Sequence, residues 1–564
     1  MSNSLFRKKS VSQVLNDIKT GEDGHGSMAK VLSVKDLTSF GIAAIIGGGI
    51  FSTIGNASYD GGAAVSLLFV FIAFACAFTG LCYAQFASTI PVSGSAYTYT
   101  YVSFGELLAW IIGWALILEY AVSNMVIAIG WSGYFMEMLE RFGIHFPEYL
   151  ATDYVSARDG FAEFQEVVKA GGVPNPRLVA QEEAFRTAPM IGGLKLLMNI
   201  PAALVTVFIT VLAYIGIKES RTTGNALVLF KVIVILAVII IGAFYVNPEN
   251  WKPFAPNGMN GVLLGVSAVF FSFIGFDSVS TTAEECQNPQ RDLPRSIIYS
   301  LIICTILYVT IALVLNGMVS HKELKVDDPL AYVFKSVSQN AVGWQKSFLS
   351  SLSGIIAVSA VVAMTSALLA YQIGQPRIWM TMSRDGLLPK SFGKIHPKYK
   401  TPSFSTILTG VLVAIPSLFM NMKFVTDLTS VGTLFAFIIV CAGILYLDKQ
   451  GTASKFKVPY VSGKYTVGAL MVVALAWTYS QGGFVEHLTE KPLLIVLWLS
   501  WLGLAVASFL KNFSLLPVLG ILTNLYLMTE LGVSNWVMFL IWLIIGLVIY
   551  FGYGYRKSNL VGKA

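Results

Sequence analysis

Charge is scarce in this chain. Asp, Glu, Lys and Arg make up 12% of its 564 residues, about half the share of an ordinary soluble domain. That deficit excludes a water-soluble globule of this size. Cysteine is equally rare: Cys76, Cys82, Cys286, Cys304 and Cys441 all lie in or at the ends of apolar segments, so no disulfide framework is expected. The histidines, His25, His145, His321, His396 and His487, are scattered through loops and segment ends, which predicts no intramembrane metal cluster. The polar, basic first thirty residues lack the apolar core of a signal peptide. The first apolar segment is therefore expected to act as the insertion signal. The formal net charge of +7 reflects loop lysines and arginines that set orientation, not a nucleic-acid partner, and no cofactor is called for.

What the chain has instead is apolar length. Hydrophobic residues make up 55% of it and the mean hydropathy is +0.69. Runs of about 20 apolar residues, each enough to cross a bilayer as a helix, recur at 36–58, 64–88, 105–135, 198–217, 225–246, 261–283, 297–319, 348–374, 403–421, 424–446, 466–484, 491–510, 513–531 and 534–553. The fold class is an all-α polytopic membrane protein with about fourteen spans in the lipid bilayer. An even count puts both termini on one side. With the termini inside, roughly 24 of the 38 Lys and Arg fall in inside segments and roughly 13 outside, as the positive-inside rule requires. This predicts cytoplasmic termini in the plasma, or bacterial inner, membrane.

The first apolar segment contains GIAAIIGGGIF, residues 41–51. Gly47, Gly48 and Gly49 each cost a helix roughly 1 kcal/mol relative to alanine. Broken backbone is tolerated at membrane depth only where protein or a wet cavity surrounds it. A break frees amide N–H groups at a half-helix N-terminus, which suit a carboxylate. The sixth segment, FFSFIGFDSVSTTAEE at 270–285, is interrupted by Gly275 and Asp277. Two interrupted segments five spans apart point to an inverted-repeat transporter and its binding site. The alternative for glycines in a span is close helix packing.

Between spans three and four lies a loop, 137–196, with 6 Lys/Arg against 9 Asp/Glu. Its FAEFQEVVKAGG stretch reads as a short amphipathic helix, favoured as a solvated decoration, with a cap or vestibule as the alternative. Tyr97, Tyr99 and Tyr101 read as interfacial anchors.

The motifs GIAAIIGGGIF, FFSFIGFDSVSTTAEECQNPQRDLPRSI and GQPRIWMTMSRDGLLP (374–389) together resemble amino acid permeases of the amino acid–polyamine–organocation superfamily. LFRKKSVSQVL near the start and the fourteen spans are nearest to the cationic amino acid transporter branch and its bacterial relatives. The resemblance covers about residues 5–555. It implies a LeuT-like five-plus-five inverted repeat with discontinuous helices one and six, alternating access, and secondary transport of amino acids, often with protons. The organisation is then a segment 1–35, a ten-helix core 36–446 with repeats 36–246 and 261–446, four further helices within 447–553, and a tail 554–564.

On this reading the amides at Gly47, Gly48 and Gly49 receive the substrate carboxylate. The carbonyls of Ile46, Phe271, Ser272 and Ile274 receive its ammonium. Family members often carry Ser, Thr or Ala at position 48, so the glycine there reads as enlarging the pocket. Lys231 costs roughly 2.5–3.5 kcal/mol at mid-membrane and matches a lysine of proton-coupled relatives whose ammonium takes the place of a sodium ion. Thr365 and Ser366 match the hydroxyl pair beside that place. Snorkelling is the alternative for Lys231. Glu119 is a second titratable candidate or a structural carboxyl. Asp277 is expected to satisfy freed backbone groups, and Phe276 is a candidate gate. Glu284, Glu285, Arg291 and Arg295 read as an inner gate network or as solvated charge. Sodium symport, exchange and a non-transporting amino acid sensor are the rival functions. An enzyme is disfavoured, because the deep acids Glu119 and Asp277 have no histidine beside them. The side-chain preference, leaning to small or neutral amino acids, and the oligomeric state are left open.

Overall fold

The computed structural model describes residues 7–9, 32–91, 95–172, 174–216, 221–399, 401–450, 454–480, 488–489 and 491–560. These are helical apart from short turns and one antiparallel pair, β1 (Met190–Ile191) and β2 (Leu194–Lys195). All fourteen expected apolar segments fall on helices. Among the described residues, nine helical runs are long and apolar enough to cross a membrane, and one of them, Val34–Thr89, holds two of the expected segments. Four further apolar helices are 10–17 residues long.

The first segment is α1 (Val34–Ile45) and α2 (Ile54–Gly61), joined through a π-helical turn at Gly49–Thr53. Ser33 and Asp36 form a capping box that starts α1, with the Ser33 backbone N–H 2.9 Å from the Asp36 carboxylate. That box satisfies donors that a helix start otherwise leaves unpaired. Then follow α3 (Val65–Thr89), α4 (Ser95–Ser103) and the third span α5 (Glu106–Arg141). The loop after it carries two helices, α6 (Tyr154–Lys169) and α7 (Pro176–Thr187). Asp153 and Asn175 accept the first-turn amides of Ser156 and Leu178, each at 2.9 Å, as N-caps do. The α7 helix was not anticipated, because its sequence is polar nearly all round.

Spans four and five are α8 (Ile200–Ile215) and α9 (Arg221–Ala243). The sixth segment is α10 (Gly258–Leu264), α11 (Val266–Phe271) and a 3₁₀ stretch, Phe276–Glu285. Spans seven and eight are α12 (Pro289–Met318) and α14 (Trp344–Arg384), with α13 (Pro329–Asn340) between them. The rest are α15 (Ser403–Ser417), α16 (Met422–Lys449), α17 (Thr466–Ser480), α18 (Leu493–Lys511), α19 (Leu515–Glu530) and α20 (Val533–Ile549).

Packing in lipid relies on close approach and polar pairing rather than on apolar burial. A Cβ on Gly410 would lie 2.5 Å from Thr210, so only glycine lets α15 lie against α8 there. Asn124 donates to Gln372 at 2.9 Å and Gln372 to Thr210 at 2.8 Å, which links α5, α14 and α8. All five cysteines are buried and none forms a disulfide. Tyr97, Tyr99 and Tyr101 are buried, not interfacial. Tyr97 and Tyr101 donate to Asp385 (2.6 Å) and Glu106 (2.9 Å), and Tyr99 stacks on Phe86 with centroids 4.7 Å apart. Their alternation reads as interfacial anchoring, but on α4 it turns them to different buried neighbours.

Candidate functional site

The two interrupted segments meet. Helix α1 ends where Ile46 leaves helical geometry (φ −77°, ψ 89°). In the sixth segment Gly275 adopts φ +114°, a region that L-residues with a Cβ avoid. Beyond it, Ser278, Ser280, Thr281 and Thr282 each donate to the carbonyl three residues back, at 2.5–2.8 Å. These local bonds compete with α-helical pairing and favour the tighter 3₁₀ form. A Cβ at Gly49 would sit 2.4 Å from Ser272 Cα, and one at Gly275 would sit 2.8 Å from the Ala44 carbonyl oxygen. Backbone therefore lies on backbone at both breaks. The first turn of a helix leaves its amides without intrahelical partners, and the helical turn after the first break begins at Gly49, beside this seam.

Ile46, Gly47, Gly48, Gly49, Phe271, Ser272 and Ile274 are all buried and converge there. The Phe271 ring lies 3.6 Å from a Gly48 Cβ position. Its carbonyl accepts the Ile274 amide at 3.2 Å. Gly48 does not enlarge a pocket: its Cβ position is 3.2–3.3 Å from Ile127 of α5. The missing side chain lets the third span close in.

Lys231 is 1% exposed. It does not snorkel: its ammonium points at the carbonyls of Ala43 and Ile46, at 3.5 and 3.4 Å. The Ile46 carbonyl assigned to the substrate ammonium thus already faces a lysine. Tyr308 donates to the neighbouring Ile45 carbonyl at 2.9 Å. The Thr365 hydroxyl donates to Val361 O (2.7 Å) and accepts from Trp131 Nε1 (2.9 Å), while Ser366 is half-buried. Glu119 is buried beside the Thr433 hydroxyl and within electrostatic reach of Asp277. Asp277 is bonded by backbone groups of Gly275, Asp277 and Ser278. Phe276 is fully buried, its ring against Phe437 (5.1 Å) and Tyr83 (5.9 Å). Arg291 and Arg295 are exposed; the side chains of Glu284 and Glu285 lie outside the described residues.

The 137–196 loop is not a decoration. Helices α6 and α7 pack through Gly160, whose Cβ position lies 2.1 Å from Gln181. They roof a cavity of about 470 Å³ whose floor includes Thr53 and Ala268 of the two interrupted segments. The sequence leaves decoration and cap both open because the docking contacts are long-range: Arg177 donates to Asn56 at 3.0 Å and Lys325 to Glu163 at 3.0 Å.

Comparison with known proteins identifies the family. The amino acid permease family model matches residues 32–504, and a model for the C-terminus of such permeases matches 514–558. The chain belongs to the amino acid permease family. The permease is 37% identical to the branched-chain amino acid permease BcaP of Bacillus subtilis, over 99% of this chain and all of that protein. It is 35% identical to the methylthioribose transporter of the same organism over the same shares. It is 31% identical to the vacuolar cationic amino acid transporter 4 of Arabidopsis thaliana, over 100% of this chain and 97% of that protein. These relatives carry transporter names, and amino acid transport is the activity that the family supports.

Proposed function

We propose that the permease is a secondary active amino acid transporter, working by alternating access in a five-plus-five inverted repeat. The observation that carries this is the backbone contact between the interrupted segments at Gly49–Ser272 and Gly275–Ala44. The packing supports the repeat: span one packs on six, two on seven, three on eight and four on nine, each helix against its counterpart. The ten-helix core is 36–446 and α17 to α20 are appended. The substrate carboxylate is held by the Gly47–Gly49 amides, and its ammonium by carbonyls of Phe271, Ser272 and Ile274. Phe276 moves with the sixth segment as its gate.

Coupling is to protons through Lys231. Its ammonium occupies the carbonyl cage where a sodium symporter would hold its cation, which favours proton over sodium coupling. Thr365, Ser366 and Glu119 complete the titratable and hydroxyl set. Both termini are cytoplasmic in the plasma membrane. Arg7 packs against Tyr555, which supports one face for both ends.

A thermal-shift screen of the twenty amino acids and methylthioribose identifies the ligand, since binding stabilises the folded state. Uptake into proteoliposomes, with pH and sodium varied separately, then tests coupling. Lys231→Ala is expected to abolish pH-driven uptake while leaving the fold intact; uptake that still follows the pH gradient would refute the coupling role. Gly48→Leu is expected to abolish uptake by driving a side chain into Ile127; normal uptake would sink the site.

A further inference from the structure

The roofed cavity holds opposite charges that do not meet. Asp60, half-buried at the end of α2, and Lys423, exposed at the start of α16, both line it. Neither side chain makes a hydrogen bond or has an opposite charge within 4.0 Å among the described residues. They are near enough for Lys423 to act on the Asp60 carboxylate. The other charges on the wall are engaged: Lys325, which also acts on Asp60, with Glu163 at 3.0 Å, Asp159 with Arg158 at 2.8 Å, and Asp427 with Ser267 and Asn535. Arg177 reaches Asn56 with Nη1, but its Nε stands 3.8 Å from Asp327 and makes no hydrogen bond.

We infer that this cavity is a second amino acid site, stacked on the cap side of the interrupted segments. A free carboxylate and a free ammonium on one wall complement a zwitterionic head group. The Asp60 carboxylate takes the substrate ammonium and Lys423 takes the substrate carboxylate, with Arg177 lining the same cavity. The volume, about 470 Å³, falls in the roughly 300–1,000 Å³ range of small-molecule sites. The floor is the seam itself: Thr53 Oγ1 donates to Gly49 O at 2.9 Å and to Ala268 O at 3.1 Å. A substrate resting there lies one helical turn from the glycine break, with α6 and α7 along the cavity wall. This inference rests on the transport reading above and adds a place where substrate is captured before it reaches the seam.

Capture before transport appears in KM rather than Vmax. In proteoliposomes, Asp60→Asn and Lys423→Gln are each expected to raise the KM for L-leucine about tenfold, the loss of roughly one charge-assisted contact, with Vmax within about twofold of wild type. L-alanine and L-arginine run in parallel. A Ser534→Cys protein gives a second readout, since Ser534 is exposed, lines the cavity and the five native cysteines are buried. L-leucine is expected to slow its alkylation. A KM unchanged in both charge variants, or an alkylation rate that L-leucine does not alter, overturns the second site while wild-type uptake keeps the transport reading. Wild type that takes up none of the three amino acids overturns both.

Discussion

The face where Arg7, Lys8 and Lys9 meet the segment around Tyr555, the termini face, and the face that carries the cap are both held by charged groups, but the acid at the centre of the first is buried and the clasp of the second is half-exposed. On the termini face, Glu106 is fully buried at the start of α5. It accepts from Tyr101 and Tyr550 at 2.9 Å each and from Ser558, and Arg7 stands 3.9 Å away. Lys8 donates to the Ser103 carbonyl and the Tyr446 hydroxyl at 2.7 Å, and Lys9 pairs with Asp385 at 2.5 Å. Three consecutive basic residues thus tie α4, α5, α14, α16 and the C-terminal segment together. On the cap face, the side chains of the Lys325–Glu163 clasp are 29% and 38% exposed. Burial makes an ionic contact costly to break, because the remaining charge is stranded. Exposure leaves it weak and screened by salt. The Glu106 cluster is accordingly the costlier of the two to break, and the clasp beside the cavity proposed as a second site the cheaper.

Removing the buried acceptor is the most severe way to break this contrast. Glu106→Ala strands three hydroxyls and Arg7, and is expected to destabilise the permease by roughly 3–5 kcal/mol, read as a large fall in melting temperature. A fall no greater than that of a surface variant would show that the cluster is solvated. Glu163→Gln should cost no more than about 1 kcal/mol and leave the melting temperature nearly unchanged, while speeding hydrogen exchange in α6 and α7. Raising salt to about 1 M should reproduce that exchange effect in the wild type and leave the Glu106 region protected; equal loosening of both faces would erase the distinction.

The smallest effect is a pH dependence of the cap. Burial, with the negative charges of Glu183, Asp327 and Glu140, pushes the Glu148 carboxyl up from 4.5 to about 7. Asp153, capping α6, is also raised, chiefly by burial. A raised carboxyl favours the folded state while it stays protonated. Its contribution declines as pH rises from about 4.5 and is gone above about 7. Exchange in α6 and α7, corrected for intrinsic rates, should therefore be slower at pH 6 than at pH 8, and Glu148→Gln should remove most of the difference. Faster exchange at pH 6 would reverse the sign.

Much of the scaffold could be read from the chain. The apolar runs located the spans, and the Gly47–Gly49 and Gly275–Asp277 interruptions located both breaks. The residues named at the seam, from Ile46 to Ile274, lie together. The readings that failed concern direction. Tyr97, Tyr99 and Tyr101 were set at an interface and are buried. Gly48 was read as opening space that Ile127 fills. The 137–196 loop reads as a decoration with a cap as the alternative, and its two helices line a cavity. The LFRKK stretch served only as a family mark, yet Arg7, Lys8 and Lys9 tie one face together.

Hydropathy and helix propensity are local quantities, so the sequence alone determined where this chain crosses lipid and where its helices break. It could not say which way each helix turns. Spans such as α3 are apolar nearly all round, and a helix without a polar stripe carries no mark of its buried face. Only the tertiary structure decided that Lys231 meets the carbonyls of Ala43 and Ile46, that Ile127 presses on Gly48, and that Asp60 and Lys423 share a cavity. Each of these pairs joins residues at least 79 positions apart, and their meeting depends on how every helix between them packs.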